Sequence, residues 1–85
     1  MLLKNQFKVF KEHFASLPAY AQMREVELLK DDVSALSSLY HLAKDDMIRF
    51  KIADSIKSRK LATRLINTTQ YASVKDRAAQ IIKGA

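Results

Sequence analysis

The chain has 85 residues, 48% of them hydrophobic, and a formal net charge of +6, a balance typical of one folded domain rather than a disordered segment. The absence of cysteine excludes disulfides, zinc–thiolate sites and a catalytic thiol. One glycine and one proline are too few turn residues for an all-β fold, and no apolar run approaches the roughly 20 residues that span a membrane.

These features predict an all-α fold, a compact bundle of four to five helices that forms a single domain over residues 1–85. The absence of cysteine is compatible with a cytoplasmic location. Because a core built from so short a chain is thin, a homodimer would stabilise the fold by covering apolar surface that remains exposed.

The N-terminal segment has large apolar residues three or four positions apart, as on one face of a helix. These residues are Leu3, Phe7, Phe10, Phe14 and Leu17. Lysines at positions 4, 8 and 11 lie beside this face, and a helix of this kind could lie on an anionic membrane surface. We expect instead that the apolar face belongs to the core, because little core remains without it.

Pro18 separates this helix from the next, since proline suits the first turn of a helix. The aspartate pairs Asp31-Asp32 and Asp45-Asp46 predict N-caps for two further helices. The helices after the first are expected at residues 19–30, 33–44, 46–67 and 74–83. In the third helix the residues expected to face inward are Val33, Leu36, Leu39, Tyr40 and Ala43.

The fourth predicted helix, from about Asp46 to Asn67, is the longest and has cations along one side. If it is continuous, four of them fall within roughly 80° of arc and form a ridge roughly 22 Å long. This cationic ridge consists of Arg49, Lys57, Lys60 and Arg64, and Lys51 and Arg59 lie on the same helix. Polar residues from Ser55 to Arg59 interrupt the apolar side, which leaves a bend or a break open as an alternative.

The positive charge lies almost wholly in the second half of the chain. Residues 1–46 hold six Lys/Arg and seven Asp/Glu, a net charge of −1, whereas residues 47–85 hold nine Lys/Arg and two Asp, a net charge of +7. A row of cations suits the closely spaced charges of a phosphate backbone. The leading prediction is therefore a small regulator that binds DNA or RNA through the cationic ridge, with Lys51 and Arg59 in support. A solvated surface that keeps the protein soluble is the alternative.

The third and fourth predicted helices also have the layout of a helix-turn-helix, two helices joined by a tight link. Two features oppose this interpretation. The link contains no glycine, and Asp45 and Asp46 would lie in the first turn of the second helix, where they repel phosphate. A helical bundle without the motif is the simpler interpretation.

A second hypothesis is an adaptor, inhibitor or chaperone that docks on an acidic protein surface. On a continuous fourth helix Phe50 and Leu61 are nearly aligned, and Met47 also lies away from the main apolar side. If they are exposed, they form an apolar patch bordered by cations, which suits a docking surface. If they are buried, this patch does not exist.

Catalytic and metal-binding patterns are not found. The two histidines, His13 and His41, lie on different predicted helices without metal-ligand spacing, and the chain has no nucleophile elbow or glycine-rich phosphate loop. Adjacent aspartates on a helix point about 100° apart and do not converge on one ion. We therefore expect no enzymatic activity, no catalytic residues, no metal and no cofactor.

Overall fold

The computed structural model describes residues 4–84, and their regular structure is entirely helical. Within this range the chain forms α1 (Lys4–Ser16), α2 (Ala19–Leu28), α3 (Val33–Leu39), α4 (Asp46–Ser55), α5 (Arg59–Thr68) and α6 (Ala72–Gly84), and a single 3-10 turn at Tyr40–Leu42 follows α3. The helices pack into one globule of 36 × 24 × 19 Å. The predicted all-α class is confirmed, but the described range holds six α-helices rather than four to five.

Every α-helix contributes to one core. Its fully buried large side chains include Phe14, Val26, Leu36, Leu39, Ile48, Ile52 and Leu65. Burial of each such side chain contributes about 1.5–3 kcal/mol to the free energy of unfolding. The predicted apolar face of α1 is confirmed for Phe14 and for Phe10, which packs against the core, whereas Leu3 lies outside the described residues.

The inward-facing residues predicted for the third helix are confirmed with one exception. Leu36, Leu39, Tyr40 and Ala43 are buried, but Val33 is 58% exposed. Val33 is the first residue of α3, and it lies beside the exposed Leu28 at the rim of the bundle. Apolar spacing alone does not show that a helix end extends past its neighbours.

Both predicted aspartate caps are confirmed. The side chain of Asp32 accepts a hydrogen bond from the N–H of Ala35 at 3.0 Å, and that of Asp45 accepts one from the N–H of Ile48 at 2.9 Å. Each satisfies a backbone donor that the first turn of a helix leaves unpaired.

The predicted fourth helix is not continuous, and the break between Ser55 and Arg59 that the sequence left open as an alternative is confirmed. It divides into α4 and α5 at residues 56–58. Lys57 has a φ of 52°, in the left-handed region, so the α-helix cannot continue through it. The N–H of Ser58 donates to the carbonyl of Ala53 and that of Lys57 to the carbonyl of Asp54. This pattern is a Schellman motif with lysine at the position that glycine usually occupies.

The residue that completes the end of α4 also begins α5. The hydroxyl of Ser58 accepts a hydrogen bond from the N–H of Leu61 at 3.1 Å and thereby caps α5. Because the terminating and initiating interactions share one residue, the link has only three residues. Helix α5 then packs chiefly against α6 and also against α4.

Candidate nucleic-acid interface

The break divides the predicted cationic ridge among three elements. Arg49 lies on α4, Lys57 in the link, and Lys60 and Arg64 on α5. The continuous ridge of roughly 22 Å, which assumed one straight helix, is therefore wrong. Burial raises the pKa of the Tyr40 phenol above its ordinary value, and the charges of Arg49 and Arg64 oppose this rise more weakly.

Arg49 is engaged in holding the fold together. Its guanidinium donates to a carboxylate oxygen of Asp46 at 2.6 Å and to the backbone carbonyl of Ala43 at 2.8 Å. The other oxygen of Asp46 accepts a hydrogen bond from the Thr69 hydroxyl at 2.7 Å. Thr69 follows α5 and is buried, so this network ties the end of α5 to the start of α4.

Lys57 and Lys51 each have an acidic neighbour. Lys57 lies 2.8 Å from a carboxylate oxygen of Asp54, and Lys51 lies 2.6 Å from one of Glu27. The hydrogen bond and charge of Lys51 hold the pKa of Glu27 below its ordinary value. Each pair therefore places a negative charge beside the lysine that a phosphate would meet.

The remaining ridge residues lie on the exposed face of α5. Lys60, Thr63, Arg64 and Asn67 are all exposed and follow the i, i+3, i+4, i+7 spacing of one helix face. We call these four residues the α5 face. The opposite side of the helix carries Leu61, Ala62 and Leu65, which are buried. The face therefore points away from the core and spans about 10 Å along the helix axis.

The charge of the α5 face is not neutralised within the part of the chain that the structure describes. Helix α5 contains Arg59, Lys60 and Arg64 and no acidic residue. Among residues 4–84, no carboxylate lies within ion-pair distance of Lys60 or Arg64. The positive end of the helix dipole at Ser58 has the same sign as these side chains. Arg59 is exposed on the same helix, close to its start.

Two side-chain contacts connect α5 to other helices. The phenol of Tyr40 donates a long hydrogen bond of 3.5 Å to the carbonyl of Leu61. The hydroxyl of Thr69, the residue that follows α5, donates to Asp46 at the start of α4. With the buried side of α5, these contacts keep the α5 face directed away from the core.

The residues of the protein-docking hypothesis do not form one exposed patch. Leu61 is only 9% exposed and belongs to the core. Phe50 packs partly against the core and lines a groove of about 350 Å³ between α4 and α6. Met47 is exposed on another surface, beside Tyr71, which precedes α6. The predicted alignment assumed a continuous helix, and the break at Lys57 removes it.

Sequence reasoning did not select Thr63 and Asn67, although their spacing from Lys60 and Arg64 is visible in the sequence. The two residues lie on the same helix face as the cations, but they are uncharged, and the prediction considered only charged residues. Their side chains can donate and accept hydrogen bonds, so they extend the chemistry of the α5 face beyond charge.

No group of three or more His, Cys, Asp or Glu side chains among residues 4–84 could hold a metal ion. None of the helices described is both long and apolar enough to cross a membrane. Comparisons with protein-family models, curated proteins and solved structures give no match.

Proposed function

We propose that this protein binds nucleic acid through the α5 face, as a small regulator without catalytic activity. The observation that supports this proposal is the exposed pair Lys60 and Arg64 on a helix that carries no acidic residue. Thr63 and Asn67 lie on the same face and add uncharged donors. Phosphate oxygens accept hydrogen bonds from all four kinds of side chain.

The binding site proposed here is smaller than the cationic ridge predicted from sequence. It keeps Lys60 and Arg64, because both cations are exposed on one helix and no carboxylate among residues 4–84 lies within ion-pair distance of either. It leaves out Arg49, Lys51 and Lys57, whose charges are matched by acidic partners.

The protein-docking hypothesis is not retained as a second function, because its apolar patch depended on the exposure of Leu61. A cytoplasmic location and a homodimer remain predictions of the sequence. Light scattering in solution tests the homodimer directly, since a dimer doubles the molar mass of 9.7 kDa.

The proposal is tested by fluorescence anisotropy with a labelled duplex of about 20 base pairs at about 50 mM salt. The double variant Lys60→Glu/Arg64→Glu should lose at least tenfold in affinity. The matched control is Lys8→Glu/Lys44→Glu, which alters two exposed lysines away from α5 by the same total charge. The control should bind nearly as the unaltered protein does.

The salt dependence provides an independent measure. For B-DNA, the logarithm of the binding constant should fall with the logarithm of salt concentration with a slope of about −0.9 per phosphate contacted. If both double variants bind equally well, the α5 face is not the site. If the unaltered protein fails to retain duplex or single-stranded nucleic acid at low salt, the proposed function is wrong.

A further inference from the structure

We infer that the partner is double-stranded DNA and that α5 enters its major groove, so that the α5 face reads base edges. This inference rests on the proposed function and narrows it to one kind of nucleic acid and one mode of recognition. It depends on three properties of α5: its place in the fold, its size and the chemistry of its exposed side chains.

The place of α5 corresponds to the second helix of a helix-turn-helix. Helices α4 and α5 are consecutive, pack against each other and are joined by three residues, as in that motif. The motif considered from sequence paired the third predicted helix with a helix starting at Asp46, and the break moves it one helix onward. The second helix of such a pair is the one that lies in the major groove.

The two features that opposed the motif, a link without glycine and aspartates at the start of the second helix, do not oppose it when the motif consists of α4 and α5. The link has no glycine, but Lys57 adopts the positive φ of 52° that glycine commonly provides. The acidic residues Asp45 and Asp46 belong to the start of α4 and not to the helix that faces DNA. The first residues of α5 are instead Arg59 and Lys60, after the Ser58 cap.

The size of α5 suits the major groove of B-form DNA. Its ten residues span about 15 Å, and a groove about 12 Å wide admits an α-helix. The major groove of A-form RNA is deep and too narrow for side chains to read. The exposed face holds no aromatic side chain, so it lacks the aromatic stacking platforms that bind unpaired bases. These facts favour duplex DNA over duplex or single-stranded RNA.

The side chains of the α5 face are those that distinguish base pairs. Arginine and lysine donate to the two acceptors of guanine, asparagine pairs with adenine in a bidentate manner, and threonine contacts the thymine methyl group. Arg64 and Asn67 lie one turn apart on the helix, and Lys60 and Thr63 lie one turn before them.

The test is selection of bound sequences from a random duplex DNA library, with double-stranded RNA of equal length as competitor. The unaltered protein should enrich a defined base pattern and should prefer DNA. Asn67→Ala should lower the preference at one base pair by about tenfold, because a bidentate contact contributes about 1–3 kcal/mol of discrimination. It should leave affinity for random duplex nearly unchanged, since no charge is altered.

The control variant is Gln70→Ala, which removes an exposed amide from the link after α5 and should leave the enriched pattern unaltered. Alanine in place of Asn67 is compatible with helix formation, so loss of the fold is not expected. Binding without enrichment, equal binding to RNA, or a pattern insensitive to Asn67→Ala overturns this inference and leaves the proposed function standing. Failure to bind any nucleic acid overturns both.

Discussion

The side-chain carbonyl of Gln22 accepts a hydrogen bond from the backbone N–H of Lys44 at 2.9 Å. The amide nitrogen of Gln22 donates to the carbonyls of Phe14 and Leu42 at 2.9 and 3.2 Å. Gln22 is fully buried, and its amide therefore joins the end of α1, the helix α2 and the segment before α4. The first half of the chain is thus connected to the start of the helix pair that presents the α5 face.

Replacement of Gln22 by leucine should lower the free energy of unfolding by at least about 2 kcal/mol. The substitution preserves the approximate volume but leaves the Leu42 carbonyl and the Lys44 N–H without the partner that Gln22 provides, while the Phe14 carbonyl keeps the N–H of Leu17. Each unpaired buried group costs about 1–3 kcal/mol. Urea denaturation measures the change. Gln70→Leu alters an exposed amide and should stay within about 0.5 kcal/mol. Equal effects from the two variants would show that the Gln22 network does not stabilise the fold.

The contrast between Gln22 and the aspartate caps shows which parts of the fold the sequence could predict. Asp32 and Asp45 bond to N–H groups three residues away, so the local pattern contains the whole interaction. The partners of Gln22 lie 8, 20 and 22 residues away. Gln22 is one of several polar residues in α2, so the local sequence gives no sign of such partners, and its burial depends on how the helices pack.

Only part of the candidate site could be predicted, because only its local features are visible in the sequence. Lys60 and Arg64 were selected from sequence because four-residue spacing on a helix is local. The break before them was not predicted firmly, because Ile52 and Ile56 continue the apolar period up to Lys57. Lysine seldom adopts a positive φ, so a lysine at position 57 does not predict that a helix ends there. The position of the break decided which cations share a face.

The charge pair between Glu27 and Lys51 should be visible in a pH titration. Lys51, through a hydrogen bond and its charge, lowers the pKa of Glu27 from the ordinary value of 4.5. Since the folded pKa lies below the unfolded one, the stabilising contribution is present above pH 4.5 and is lost as the pH falls through the folded value. NMR titration of the Glu27 carboxyl should show its pKa rising toward the ordinary value in Lys51→Gln.

A neighbouring lysine provides the control for this titration. The charge of Lys30 also lowers the pKa of Glu27, but it is the weaker influence. Lys30→Gln should therefore raise this pKa less than Lys51→Gln does. If the two variants gave equal shifts, the contact between α2 and α4 through Glu27 and Lys51 would not persist in solution.

The left-handed conformation of Lys57 predicts an unusual order of stability among its variants. Lys57→Gly and Lys57→Ala both remove the exposed pair with Asp54, so they differ only in backbone preference. Glycine adopts a φ of 52° freely, whereas alanine does so at a cost of about 1–2 kcal/mol. The glycine variant should therefore be the more stable of the two by about 1 kcal/mol in urea denaturation.

The same substitutions at Lys75, exposed within α6, should show the reverse order, because alanine stabilises a helix interior by up to about 1 kcal/mol relative to glycine. If alanine were the more stable residue at both positions, α4 would continue through Lys57, and the helix pair that presents Lys60 and Arg64 would not exist as described.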